Sequence, residues 1–141
     1  MKYYFHGGIA GLKTGASILP LSVSGNTHGR ARWEALKPEN RFRIDKAYIT
    51  TDPRWALIFA AYHGDMAGRG CVYYVIPSGD MEADPDYIGT DRASFMVSFA
   101  SVTGRLWILS KSRCRRILAL IGQNLSAEEL QLALGSAAED R

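Results

Sequence analysis

The chain has 141 residues, 47% of them hydrophobic and 22% charged, with a net charge of +3. That length suits one domain around one core, residues 1–141, and the composition is that of a folded globular protein, not a disordered one. No apolar run approaches the ~20 residues that a bilayer-crossing helix requires, and two cysteines, Cys71 and Cys114, are too few for a disulfide framework. The first residues lack the charged, apolar and small-residue regions of a signal peptide, so a cytoplasmic protein is expected. His6, His28 and His63 lie apart from one another, no Cys/His group has metal-ligand spacing, and no metal is expected.

In chain order, Lys2 to Phe5 read as a strand that ends at His6, just before Gly7 and Gly8. Two glycines after a strand-end histidine have two readings. They make a turn, or they let the backbone approach a ligand that the imidazole also touches. From Ile9 to Asn40 the chain is rich in Gly, Ser, Thr and Pro and reads as loop, with at most a short helix from Ala31 to Leu36. A loop that long in a small domain is usually functional. "DKAYITT" reads as a strand with Ala47 and Ile49 on one face and Tyr48 and Thr50 on the other. "TDPRWALIFAAYHGD" reads as a helix: Thr51 or Asp52 caps it, Pro53 takes the first position, and Gly64 ends it. Within it Trp55, Ile58, Phe59 and Tyr62 recur at helical spacing and read as its core stripe.

"GCVYYVIPSG" is a strand whose continuous apolar run implies two covered faces. An acidic loop follows, and then two strands, "ASFMVSF" and "GRLWIL". Lys111 to Ile121 reads either as a basic amphipathic helix or as a strand and turn. Ser126 and Glu129 form a capping box that opens a last helix. Strands outnumber helices too far for a doubly wound fold, and there is neither a GxGxxG fingerprint nor a GxxxxGK[ST] loop. The fold class expected is α+β.

Polar residues interrupt the apolar strand ends at His6, at Tyr48, and at Asp80, Glu82, Asp84 and Asp86. Singly, each has an ordinary structural reading: a hydrogen-bonded histidine, a sheet tyrosine, a solvated acidic loop. Taken in order, "YFHGG", "KAYITTDPRWAL" and "GRGCVYYVIPSGDMEADPD" resemble the rifampin ADP-ribosyltransferases, a small bacterial family of the ADP-ribosyltransferase superfamily. The resemblance runs from Tyr4 to Leu109. It departs at Gly8, where the family usually has Thr, and after Asp84–Pro85, where a polar insertion is much shortened. That insertion helps shape the acceptor site in the family, so NAD is implied more firmly than rifampin.

The resemblance implies a split-sheet fold and an enzyme that breaks the nicotinamide–ribose bond of NAD and passes ADP-ribose to an acceptor. The ribose becomes cationic as nicotinamide leaves, much as in glycoside hydrolysis. His6 would bond ribose hydroxyls on the adenosine side. The main chain of Gly7 would pair with the nicotinamide carboxamide, and Tyr48 would stack on the nicotinamide ring. Asp84 would stabilise the cation or orient the nucleophile, with Glu82 and then Asp80 as rivals for that role. His6, Tyr48 and Asp84 are thereby expected to open onto one cleft. The acceptor is open among protein, nucleic acid, a small molecule such as an antibiotic, and water. Water as acceptor would make the chain an NAD glycohydrolase, a toxin or effector in bacterial or phage conflict. An RNA 2′-phosphotransferase shares the fold and the strand-end His-Gly. The alternative from another class is a non-catalytic module that binds nucleic acid or protein through "KSRCRR" and the other basic segment, "GRARWEALKPENRFR".

Overall fold

The computed structural model describes residues 2–24, 45–84, 94–121, 123, 128–129 and 132. Its elements run β1 (Tyr4–Ile9), β2 (Ser17–Ile18), α1 (Leu21–Ser24), β3 (Ala47–Thr50), α2 (Pro53–Ala67), β4 (Arg69–Ser78), β5 (Glu82–Ala83), β6 (Ser94–Val97), β7 (Phe99–Ser110) and α3 (Lys111–Ile121). The strands form one antiparallel seven-stranded sheet in the order β2-β7-β4-β1-β3-β6-β5. With two longer helices among the described residues, the architecture is α+β, as the strand-rich pattern implied.

β1 does not stop at His6. Gly7 and Gly8 stay in the strand, paired with Val72 and Cys71 of β4, and the turn comes later, at Gly11, whose φ of +113° favours glycine. The glycine pair is therefore not the turn that composition alone suggests. Inside the expected loop, β2 and α1 form; the short helix expected at Ala31 to Leu36 lies outside the described residues, as does the capping box at Ser126. The two strands expected after the acidic loop are β6 and a single long β7 that takes in both Phe99 and the "GRLWIL" run.

α2 begins as its sequence dictates. The Asp52 side chain accepts the Arg54 N–H at 3.0 Å, Pro53 stands at the first position, and Thr50 Oγ1 accepts the Asp52 N–H at 3.0 Å. It ends at Gly68, with φ +105°, and not at Gly64. Gly64 has a packing role instead: a Cβ there would lie 2.4 Å from Cys114 Sγ of α3 and 2.6 Å from Gly70 N. The buried stripe is also not the aromatic one. Ala56, Leu57, Ile58, Ala60, Ala61 and Gly64 are buried, whereas Trp55, Phe59 and Tyr62 stand half-exposed beside them. Small residues let the helix backbone lie directly on the sheet. A Cβ on Gly7 would come within 1.8 Å of Ala56 O, and one on Gly70 within 2.1 Å of Ala60 O.

α2 and α3 cover one face of the sheet around Phe5, Val72 and Leu109; Leu57, fully buried there, contributes ~1.5–3 kcal/mol. On the opposite face, Ile18, Ala47, Ile49, Tyr73, Val97 and Val102 make a second core drawn from both ends of the strand order. β4 is buried on both faces from Gly70 to Tyr73 because it separates these two cores. Lys111 to Ile121 resolves as the helix, with Cys114 and Ile117 buried, Lys111, Arg115 and Arg116 exposed and Arg113 half-buried. Both cysteines are free, buried thiols, and burial pushes both up from their ordinary range.

Candidate functional site

The seam between β1 and β3 is where the sheet nearly comes apart. β1 matches β4 at six positions and β3 at one, Phe5 opposite Thr50. Main-chain direction at this seam follows from neighbouring bonds. Ser94 O accepts the Asp84 N–H at 3.0 Å, so the main-chain groups of Ser94 turn toward β5. Antiparallel alternation then turns those of its partner Thr50, and of Tyr48, toward β1. Phe5 answers Thr50, and Gly7, two residues on, turns its N–H and C=O the same way, away from β4 and into the seam.

A continued ladder would have Gly7 N–H donate to Tyr48 O. Pairing stops before that point, and His6 Nδ1–H donates to the Tyr48 carbonyl instead, at 2.8 Å. The histidine takes the acceptor on β3, and among the described residues the Gly7 edge that faces the seam has no ladder pairing with β3. The same bond sets the tautomer: Nδ1 carries the proton, and Nε2 is a lone-pair acceptor. Burial holds the His6 pKa below its ordinary 6.5, against a smaller opposing pull from the bond to Tyr48, so the ring is neutral at pH 7. Nε2 lies above Gly8, where a Cβ would approach it to 3.1 Å. The two glycines thus have different causes. Gly7 makes room for α2, while Gly8 keeps the acceptor nitrogen clear. A side chain at position 7 would strike the helix before it could hold a ligand away.

Tyr48 is half-exposed and pairs with Met96 across β6. By register it shares a face with Thr50, Ser94 and Asp84. Asp84 is buried, 4% exposed, and its Oδ2 accepts the Ser94 hydroxyl at 2.9 Å. Glu82 is exposed and pairs with Lys46 at 3.7 Å, Asp80 is exposed, and Asp86 lies outside the described residues. Of the described acidic residues after β4, Asp84 is the one sheltered from water. It sits two strands from Tyr48, ~10 Å across the sheet.

The structure brings together the His6 ring and the Tyr48 main chain. It places Tyr48 and Asp84 on one face of the β3–β6–β5 half of the sheet. It does not gather the three side chains on one face, because strand alternation sends the His6 ring to the side opposite Tyr48 and Asp84. His6 and Tyr48 border the seam on opposite faces, while Asp84 lies at the sheet edge two strands beyond Tyr48. Neither the Ser94–Asp84 bond nor the part played by the Tyr48 carbonyl can be read from the sequence, since both depend on which strands become neighbours.

In chemical terms the seam offers an amide donor and acceptor at Gly7, a neutral imidazole acceptor and an aromatic ring, with a braced carboxyl group two strands beyond it at Asp84. Among the described residues no three His, Cys, Asp or Glu side chains are grouped to hold a metal ion, and no helix is long and apolar enough to cross a membrane. Neither protein-family models nor curated proteins give a match to this chain.

Proposed function

We propose that the chain is an NAD-dependent mono-ADP-ribosyltransferase on an ADP-ribosyltransferase-like split sheet. The observation that carries this reading is the Gly7 edge, turned into the seam while His6 occupies the carbonyl it would otherwise meet. A primary carboxamide has one carbonyl and one NH2, and a strand edge with a free-facing C=O and N–H is its complement. Nicotinamide docked on Gly7 would lie beside Tyr48, whose ring can stack on it and exclude water. The His6 Nε2 acceptor, on the other side of the seam, suits a ribose hydroxyl.

The reaction breaks the bond between the nicotinamide nitrogen and ribose C1. The bonding pair goes to nicotinamide, which leaves neutral, and C1 becomes cationic. A lone pair on the acceptor forms the new bond, and the acceptor releases a proton. Asp84 supplies negative charge to the sugar as positive charge develops, so it acts on the transition state and not on ground-state binding. Its bond to Ser94 fixes its orientation in advance. Glu82, engaged with Lys46 at the sheet edge, is the weaker candidate.

The acceptor class is favoured toward macromolecules by α3, whose outer face carries Lys111, Arg115 and Arg116 with no acidic residue in the helix. The same face supports a second reading, a basic binding module without chemistry. The deciding experiment is incubation of the protein with NAD labelled in the adenylate, with and without cell lysate. Label should move to a protein, nucleic-acid or small-molecule fraction while nicotinamide is released; free ADP-ribose alone would mean a glycohydrolase. NAD at 100 times its dissociation constant should also add ~2.7 kcal/mol of stability. A chain that releases no nicotinamide, ignores NAD in the melt and binds nucleic acid with a steep salt dependence is the binding module.

A further inference from the structure

Tyr73 of β4 stands directly opposite His6 and shares its face of the sheet. Its side chain is fully buried, yet its hydroxyl serves the exposed segment after β1: it donates to Ile9 O at 2.6 Å and accepts the Leu12 N–H at 3.2 Å. Burial pushes the phenol up to about 12, so the hydroxyl keeps its proton through neutral and mildly alkaline solution. The far end of the segment is held too. Gly15 N–H donates to Val102 O, and Val102 N–H to Ala16 O, each at 2.8 Å. Between these ties, residues 11–15 are exposed, with left-handed Gly11 and Gly15 at the bends.

A loop that buries little gains little to offset the entropy of its ordering. One tied at both ends to the sheet, beside a site, is suited to meet a ligand without further ordering. Its position is specific. His6 Nε2 leans over Gly8 and the Tyr73 hydroxyl reaches Ile9 O, so both rings point to the end of β1 from which this loop departs. Lys13, exposed within the loop, adds a cation there.

We infer that Tyr73 is a positioning residue: it holds Gly11–Thr14 as a fixed wall beside His6 Nε2 and presents Lys13 to the diphosphate of the dinucleotide. The assignment of the diphosphate rests on the NAD reading above. A ribose hydroxyl on His6 places the diphosphate a few bonds from the imidazole, on the side of the sheet that His6 shares with Tyr73.

Tyr73→Phe keeps the ring in the core and deletes both loop bonds. Hydrogen exchange at the Leu12 amide and trypsin cleavage after Lys13 should both quicken in the unliganded protein. The KM for NAD should rise about tenfold with kcat unchanged, as expected for lost ground-state positioning. Lys13→Gln should weaken binding of ADP-ribose and leave binding of nicotinamide as it was, and Lys13→Arg should restore it. Unchanged exchange and proteolysis in Tyr73→Phe refute the pin. A released loop with unchanged ADP-ribose affinity in both Tyr73→Phe and Lys13→Gln refutes the wall. A wild-type chain inert toward both NAD and ADP-ribose refutes the NAD reading and the diphosphate assignment with it, while the exchange and trypsin results still decide the pin.

Discussion

β1 has two neighbours and treats them differently. Against β4 it pairs from Tyr4 to Ile9; against β3 it pairs only at Phe5. The first seam is closed by main-chain bonds and roofed by α2, whose Ala56 and Ala60 backbones press on Gly7 and Gly70. The second is held by the one pair, Phe5 with Thr50, and by a side chain, His6, on the Tyr48 carbonyl. The comparison separates fold from function within one strand. Where every amide has a ladder partner, the residues answer to packing. Where the ladder stops, polar groups are left to meet something else.

The largest effect should come from disturbing the closed seam. Gly7→Ala puts a Cβ within 1.8 Å of Ala56 O, and that contact is backbone against backbone, with no flexible side chain to yield. The substitution should destabilise the protein by more than ~3 kcal/mol, or ~10 °C in the melting temperature, and calorimetry would measure it. Gly8→Ala should cost far less, because its 3.1 Å neighbour is the far end of the His6 side chain. Equal losses at the two positions would contradict the division between a packing glycine and a site glycine.

The closed seam was also the more legible of the two. The cap at Asp52 and Pro53, the covered faces of β4 and the α+β class all follow from local pattern and composition. Local pattern misled where partners decide. Gly7 and Gly8 look like a turn until β4 pairs with them, and Gly64 looks like a helix end until α3 packs against it. The aromatic stripe of α2 looked like the core, yet backbone-to-backbone approach selects Ala and Gly there. At the open seam and at the sheet edge beyond it, residue types named the candidates His6, Gly7, Tyr48 and Asp84. Which main-chain groups turn into the gap, and which face each side chain takes, depends on register, and no single strand contains that information.

Among the candidate site residues, the carboxyl group should matter most. Asp84→Asn keeps the shape and removes the charge that would stabilise a ribosyl cation. Turnover of NAD should fall about 100-fold or more while its dissociation constant changes little. Glu82→Gln weakens the edge pair with Lys46 and should leave turnover within about twofold. Single-turnover nicotinamide release reads both variants. The reverse ranking would move the chemistry from the buried carboxyl to the exposed one.

Tyr48→Ala is expected to act on binding. The ring is half-exposed, so its loss empties little of the core and should change the melting temperature by only a few degrees. Loss of stacking on nicotinamide should weaken NAD about tenfold, which calorimetric titration measures. A large melting change with intact NAD affinity would return Tyr48 to an ordinary sheet role.

The smallest effect is the pH dependence written into His6. Burial depresses its pKa in the folded chain, the bond to Tyr48 opposing this only in part. Above the unfolded value of 6.5 the ring is neutral folded or unfolded, and its contribution is complete. As pH falls below 6.5, the unfolded chain takes up the proton more readily than the folded one, so stability is lost until the folded pKa is passed. One group changes stability by at most ~1.4 kcal/mol per pH unit, so this must be read as a difference between two proteins. His6→Gln is the reference, since its amide N–H can still donate to Tyr48 O but does not titrate. Melts from about pH 8 to about pH 5 should show the wild type losing more than His6→Gln, with the gap opening below the unfolded value. NAD affinity in the wild type should hold as the stability gap opens and fall only as pH passes the lower, folded value, because a proton on Nε2 then removes the acceptor left free by the bond to Tyr48. Parallel melting curves would mean that the imidazole is not held neutral by the seam, and the acceptor role would go with it.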